Sequence, residues 1–180
     1  MQKVEIIEGA TLVSQRGEIE EIKYRLIGKK ILFTSSLRDE GKTSVALALG
    51  TLLAETKKVL YIGKPADVFK LTETSRNQIC HSNVDNLYIL LKENIDVVEV
   101  ENINSEFDYI FIETEALQIS KKAMAIASLC DQTVLVVEAN RVSYKVVKEN
   151  IDLLNAAHAK NIDLVLNKAK KHYGLLKRKK

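Results

Sequence analysis

The chain has 180 residues and a net charge of +3, with 46% hydrophobic and 28% charged residues, an ordinary globular composition that names no function by itself. One proline, seven glycines and the lack of a Pro/Gly/Ser-rich linker argue against disorder and against a division into two domains. Two distant cysteines, Cys80 and Cys130, with no C-x-x-C spacing, argue against a disulfide framework or a zinc centre.

The first residues hold a short strand-prone run, Val4-Glu5-Ile6-Ile7-Glu8, with no readable role. Over 18–27, Ile19, Ile22 and Leu26 recur at helical spacing and predict an amphipathic helix with Glu20, Glu21, Lys23 and Arg25 mostly outside. Ile31-Leu32-Phe33 reads as a buried strand, and Val45, Ala48, Leu49, Leu52 and Leu53 mark one face of a helix that follows. Between them stands Ser36-Leu37-Arg38-Asp39-Glu40-Gly41-Lys42-Thr43. It keeps the second half of the pattern G-x-x-x-x-G-K-[ST]. In that pattern backbone N–H groups and a helix N-terminus wrap a phosphate, the lysine reaches the β- and γ-oxygens, and the hydroxyl holds Mg²⁺. Ser36 takes the place of the first glycine. Asp39 brings a Cβ and a negative charge to an anion-binding loop, yet aspartate tolerates the left-handed conformation that such a turn requires.

Val59-Leu60-Tyr61-Ile62 is a second buried strand, followed by Gly63-Lys64-Pro65-Ala66-Asp67, in which Asp67 reads as a turn or helix-start residue. Over 68–104 the pattern is weaker, with a strand at 87–91 and a further β-prone run, Val97-Val98-Glu99-Val100. The adjacent pair Cys80-His81 lacks further Cys or His partners nearby and makes a poor metal site. The strand run from Phe107 to Thr114 ends on a carboxylate, Glu113. A helix over 117–129, a strand Thr133-Val134-Leu135-Val136-Val137 after Asp131, and a helix over 141–157 come next. The last of these has Val142, Val146, Val147, Ile151 and Leu154 on one face, and a strand over 162–166 then closes on Asn167. Such alternation builds βαβ units: a single α/β domain with a mostly parallel sheet and helices on both faces.

The longest apolar stretch, 45–54, is too short to cross a bilayer, so the reading is a soluble, cytoplasmic protein. Lys168, Lys170, Lys171, Lys177, Arg178, Lys179 and Lys180 crowd the end of the chain. They read as a solvated end, or as a patch drawn to an anionic membrane surface or an acidic segment. No aromatic platform accompanies them, and nucleic acid is not an expected partner.

Thr34-Ser35-Ser36 with Glu40-Gly41-Lys42-Thr43 closely resembles the Walker A segment of the bacterial tyrosine kinases (BY-kinases) of capsule and exopolysaccharide assembly. That segment runs T-S-S-x-P-G-E-G-K-[ST], and the family is related to the ParA/MinD ATPases. Phe107 to Thr114 resembles its Walker B strand, the run after Asp131 its next strand, and Val165-Leu166-Asn167 its V-L-N. The resemblance covers 18–173, leaving 1–17 as an N-terminal extension and 174–180 as a basic tail. It implies a P-loop NTPase-like fold, with ATP or ADP held by Ser36, Glu40, Gly41, Lys42, Thr43 and Asn167, and Mg²⁺ by Thr43 and Glu113. Asn167 reads equally as a strand-terminating turn residue.

Several family positions are changed. The Walker A′ D-x-D positions are Gly63 and Pro65, which offer Mg²⁺ no side-chain oxygen. Arg38-Asp39 stands for Pro-Gly and Glu115-Ala116 for Pro-Pro. Glu113 stands for aspartate and reads either as a weakened metal ligand or as a strand-end carboxylate. The ring-assembly pattern E-x-x-R-x-x-R is reduced to Glu20, Lys23 and Leu26, and a lone Tyr173 replaces the phosphorylated tyrosine cluster. Cationic Arg38 or Lys64 is a candidate phosphate ligand in place of the metal. The resemblance therefore implies a catalytically impaired BY-kinase-like partner or regulator in exopolysaccharide or capsule biosynthesis. It would dock on the cytoplasmic part of a membrane polysaccharide co-polymerase or chain-length protein, at the inner face of the plasma membrane. Two alternatives stand beside it: a residually active tyrosine autokinase or ATPase with Tyr173 as acceptor, and a ParA/MinD-type nucleotide switch. Members of the latter group usually carry a signature lysine where this chain has Leu37.

Overall fold

A computed structural model describes residues 3–6, 16–65, 69–70, 77–103 and 106–169. Among the described residues the strands are β1 (Lys3–Ile6), β2 (Lys30–Ser35), β3 (Val59–Gly63), β4 (Phe69–Lys70), β5 (Ile79–Ser82), β6 (Leu87–Leu91), β7 (Tyr109–Glu113), β8 (Gln132–Glu138) and β9 (Ile162–Asn167). The helices are α1 (Arg16–Tyr24), α2 (Lys42–Ala54), α3 (Val97–Asn102), α4 (Lys122–Leu129) and α5 (Tyr144–Ala156). All nine strands join one sheet in the order β4-β1-β5-β6-β3-β7-β2-β8-β9. From β6 to β9 neighbouring strands run parallel; β5 lies antiparallel to β6, and β1 is parallel to β5 and antiparallel to β4.

The central strands read as unbroken apolar runs because both of their faces are covered. Alternate side chains divide between two cores. Ile31, Phe33, Tyr61, Phe111, Val134 and Val136 face α1 and α2 on one side. Leu32, Leu60, Ile62, Ile112, Leu135 and Val137 face α3, α4 and α5 on the other. The single α/β domain with helices on both faces that the alternation predicts is thus the observed architecture. Cys80 belongs to the first core and Cys130 to the second, so the sheet separates them.

Local details differ from the sequence reading. The single apolar face expected for α2 is too narrow: Val45 to Gly50 and Leu52 to Ala54 are all buried, since the helix lies against the sheet and under α1. The β-prone run Val97-Val98-Glu99-Val100 is helical. Asp96 and Glu99 form a capping box in which the Glu99 N–H donates to Asp96 Oδ1 at 2.8 Å, and this local pairing overrides the strand propensity of three valines. Helix α1 stops at Tyr24, short of Leu26, and α4 begins only at Lys122 after a turn that buries Leu117. The short strands β4 and β5 went unseen in the sequence, and Asp67 lies outside the described residues.

The start of β2 is latched to β8 by Asp131. Its Oδ2 accepts from the N–H groups of Lys29 at 2.7 Å and Lys30 at 2.8 Å, and a Cβ on Gly28 (φ +80°) would stand 2.3 Å from the Asp131 Cβ. Burial works against this carboxylate, but the two N–H donors outweigh it and hold its pKa below the usual range. Asp131→Ala is expected to lower stability by about 1–2 kcal/mol, as for loss of charge-assisted hydrogen bonds at a partly exposed site. A depressed carboxyl stabilises the fold above its ordinary pKa and ceases to do so as acid protonates it. Urea unfolding at neutral pH and near pH 3 checks this: the penalty should shrink in acid, and a constant one would disprove the latch.

Candidate functional site

The loop at residues 36–41 leaves the C-terminal end of β2 and enters α2, at the edge where parallel α/β sheets hold their ligands. Asp39 takes φ +61° and Gly41 φ +90°. The first is the left-handed turn that the sequence allows for aspartate; the second suits glycine alone, because a Cβ on Gly41 would meet Asn167 Nδ2 at 2.1 Å. No side chain caps the first turn of α2, so the N–H groups at Lys42 and Thr43 are those an anion would use.

The loop is braced from inside. Glu40 is fully buried, and its carboxylate accepts from the Leu37 N–H at 2.6 Å and, across the sheet, from the Glu138 N–H at 3.0 Å. Asn167 Nδ2 donates to the Glu40 carbonyl at 2.8 Å, and Lys168 Nζ to the Asp39 carbonyl at 3.0 Å. Asn150 Nδ2 donates to the buried Ser36 hydroxyl at 2.7 Å. The side chains of Ser36, Glu40 and Asn167 therefore hold the loop's shape, leaving the backbone, Lys42 and Thr43 to face a ligand.

Lys42 Nζ donates to Ser35 Oγ at 3.0 Å. Burial pushes its pKa below the ordinary lysine value, while the carboxylates of Glu113, Glu40, Asp39 and Glu115 pull the other way. At the end of β7, Glu113 is engaged at both oxygens: Thr43 Oγ1 donates to Oε1 at 2.9 Å and the Tyr61 hydroxyl to Oε2 at 2.6 Å. Burial raises the Glu113 pKa, against the Tyr61 hydrogen bond, the Lys42 charge and the Thr43 hydroxyl. Burial, then the Glu113 charge, pushes the Tyr61 phenol well above its usual value, so it stays an O–H donor.

In front of these groups lies a cleft of about 300 Å³, lined by Arg38, Asp39, Lys42, Lys64, Glu113 and Glu115 among others. Lys64 Nζ pairs with Glu115 Oε1 at 2.7 Å, and this hydrogen bond holds the Glu115 pKa below its ordinary value. Thr114 Oγ1, beside the cleft, is buried without a hydrogen-bond partner.

The structure thus brings together Ser36, Glu40, Gly41, Lys42, Thr43, Glu113 and Asn167, with Arg38 and Lys64 on the cleft. Tyr173 lies outside the described residues. The pair Cys80-His81 is taken up in packing, the His81 ring stacking on Tyr88 at 4.5 Å between centroids. Among the described residues no group of three His, Cys, Asp or Glu is placed to hold a metal ion. Sequence reasoning missed Tyr61 and Asn150. The first looked like one more core residue of a buried strand, and its only signal is the glycine two positions on.

The strand, loop and helix, set at the centre of a parallel sheet, define a P-loop NTPase-like α/β domain. No model of a known protein family matches the chain. It is 31% identical to tyrosine-protein kinase CpsD of Streptococcus agalactiae, over 77% of this chain and 75% of that protein. The chain therefore belongs to the family of bacterial tyrosine kinases that includes CpsD. Among solved structures, the chimerical protein CapA2B2 matches with a TM-score of 0.74 at 20% identity, over 93% of each chain. The MinD cell division protein of Aquifex aeolicus matches with a TM-score of 0.64 at 23% identity, over 79% of this chain and 70% of that one. Both share the fold.

The raised pKa of Glu113 carries a pH signature. A carboxyl whose folded pKa lies above its unfolded value favours the fold below about pH 4 and loses that contribution as pH rises through the folded value. Glu113→Gln does not titrate. Relative to wild type, its melting temperature should therefore improve between pH 4 and pH 7 by scanning calorimetry, and a decline over that range would contradict the burial argument.

Proposed function

We propose that this chain is a catalytically impaired BY-kinase-like protein that binds ATP or ADP at the loop of residues 36–43. It acts as a cytoplasmic partner or regulator in exopolysaccharide or capsule biosynthesis. The observation that carries this reading is a contrast within one site. Lys42, Thr43 and the uncapped first turn of α2 form an anion cradle that protein groups hold in place, whereas β3 supplies no carboxylate beside it.

Phosphoryl transfer asks of the protein mainly positioning and charge stabilisation, for which a well-held metal ion is central. Mg²⁺ prefers near-octahedral oxygen ligation. The donor set here is poor for it: Gly63 and Pro65 offer no side-chain oxygen, and Glu113 already accepts from Thr43 and Tyr61. Nucleotide occupancy without efficient transfer is the outcome such a site favours. Membership of the family that includes CpsD supports a place in capsule or exopolysaccharide assembly. The family-like domain covers 18–173 with the basic tail 174–180 after it, although β1 (Lys3–Ile6) joins the same sheet and α1 begins at Arg16, so the extension 1–17 contributes to the fold. Its docking partner is the cytoplasmic part of a membrane polysaccharide co-polymerase, with the basic tail toward anionic lipid. Among the described residues no helix is long and apolar enough to cross a membrane.

Calorimetric titration with ATP and ADP is the test. Wild type should bind, and Lys42→Ala should bind at least about tenfold more weakly, as expected for loss of a charge-assisted phosphate contact. Incubation with ATP and Mg²⁺ should leave no phosphotyrosine detectable by antibody. Vigorous autophosphorylation would overturn the impairment, and equal binding by the variant would overturn the site.

A further inference from the structure

Beside the loop, Thr43, Tyr61 and Glu113 form a hydrogen-bond triad. Tyr61 and Gly63 lie two residues apart in β3 and so project to the same face. The two are sterically complementary: a Cβ on Gly63 would stand 2.4 Å from the Tyr61 hydroxyl and 2.7 Å from the ring carbon that bears it. Only a residue without a side chain at 63 lets the Tyr61 hydroxyl reach the end of β7. There it donates to Glu113 Oε2 at 2.6 Å, while Thr43, the residue whose hydroxyl would otherwise face a metal, donates to Oε1 at 2.9 Å. A fully buried phenol with a carboxylate at hydrogen-bond distance is built into the core, and its ring packs on Phe69 at 5.8 Å between centroids.

We propose that the Tyr61 hydroxyl, made possible by Gly63, replaces the divalent cation beside Thr43 and Glu113, so that this loop takes a nucleoside polyphosphate as a metal-free anion. The proposal rests on the nucleotide-binding reading above and specifies the ionic form of the ligand. Each oxygen of Glu113 accepts from an O–H donor, which offsets its charge on the cleft lining. Lys64 similarly engages Glu115. The ligand's phosphates are met by the Lys42 ammonium, the exposed Arg38 guanidinium and the N–H groups of the first turn of α2. A cation beside Glu113 would compete with two O–H donors for that carboxylate. It would then still lack the oxygens that positions 63 and 65 do not carry.

The experiment is titration of the full chain with ADP, in EDTA and in excess Mg²⁺, for wild type and for Tyr61→Phe. In wild type the two dissociation constants should agree within about twofold. Tyr61→Phe keeps the ring and removes the donor, exposing one Glu113 oxygen to the phosphates. Its affinity in EDTA should fall at least about fivefold, and Mg²⁺ should recover part of the loss. Circular dichroism confirms that the variant is folded, and the wild-type pair of titrations decides the question even if it is not. Wild-type binding that needs Mg²⁺, or is tenfold tighter with it, overturns the cation replacement and leaves the nucleotide reading intact. No binding of ADP in either buffer overturns the nucleotide reading and the metal-free ligand together. As an independent readout, titration of the wild-type chain with Mn²⁺ and ADP should leave the free-ion electron paramagnetic resonance signal undepleted by protein. Stoichiometric depletion would place a cation where the hydroxyl stands and sink the proposal.

Discussion

The Glu40 carboxylate holds the loop in shape. A phosphate-binding loop is a run of backbone whose N–H groups must converge on empty space, and something other than the ligand has to fix it there. In this chain one buried carboxylate spans the loop, accepting the Leu37 N–H on one oxygen and the Glu138 N–H on the other. The second bond ties the loop to the end of β8, and Asn167 at the end of β9 closes the bridge through the Glu40 carbonyl. The strand order makes this possible, because β2, β8 and β9 are consecutive neighbours and all end at the same edge of the sheet. Gly41 follows from the same constraint, since Asn167 fills the space a side chain would need.

With the loop braced by protein groups, changes around it need not collapse it. Arg38-Asp39 is accommodated because Asp39 adopts the left-handed conformation that glycine would otherwise supply, and Lys168 Nζ satisfies its carbonyl. Lys168 and Arg141 converge on Glu138, which keeps that end of β8 paired where its N–H serves Glu40. These two cations, the Lys168 hydrogen bond first, hold the half-buried Glu138 carboxyl below its ordinary pKa. The anion cradle and the ring of carboxylates around it are thus separable parts of the site. The first is tied to the sheet through several strands, whereas the second rests on single side chains such as Glu113 at the end of β7.

Much of this was legible in the sequence. Long apolar runs alternating with helical periodicity fix a parallel sheet without reference to any contact, and the order of motifs along the chain fixes the place of the loop. The roles of individual site residues were less legible, for a physical reason. Ser36, Glu40 and Asn167 stand at motif positions, and a motif records where a residue sits but not which way its side chain turns; all three turn inward. Tyr61 was hidden because a buried tyrosine and a buried leucine look alike in a strand pattern, and only the hydroxyl's partner, 52 residues away, separates them. The helix at Val97 was hidden by a similar conflict. Its three valines argue for a strand, while the capping pair Asp96 and Glu99, the stronger local signal, is polar and easily read as loop.

The aromatic side chain at position 61 also bears on how such a site can change. A side chain at position 63 and the observed pose of Tyr61 exclude one another, because a Cβ there would stand 2.4 Å from the hydroxyl. Glu113 is half-buried, and leaving such a carboxylate without a donor is costly. The Tyr61 hydroxyl, in the space that Gly63 leaves, supplies one donor and Thr43 the other. A side chain at 63 would clash with Tyr61 in this pose, and loss of the Tyr61 hydroxyl alone would take one donor from Glu113. The stability of the fold therefore works to retain the triad independently of what the cleft binds.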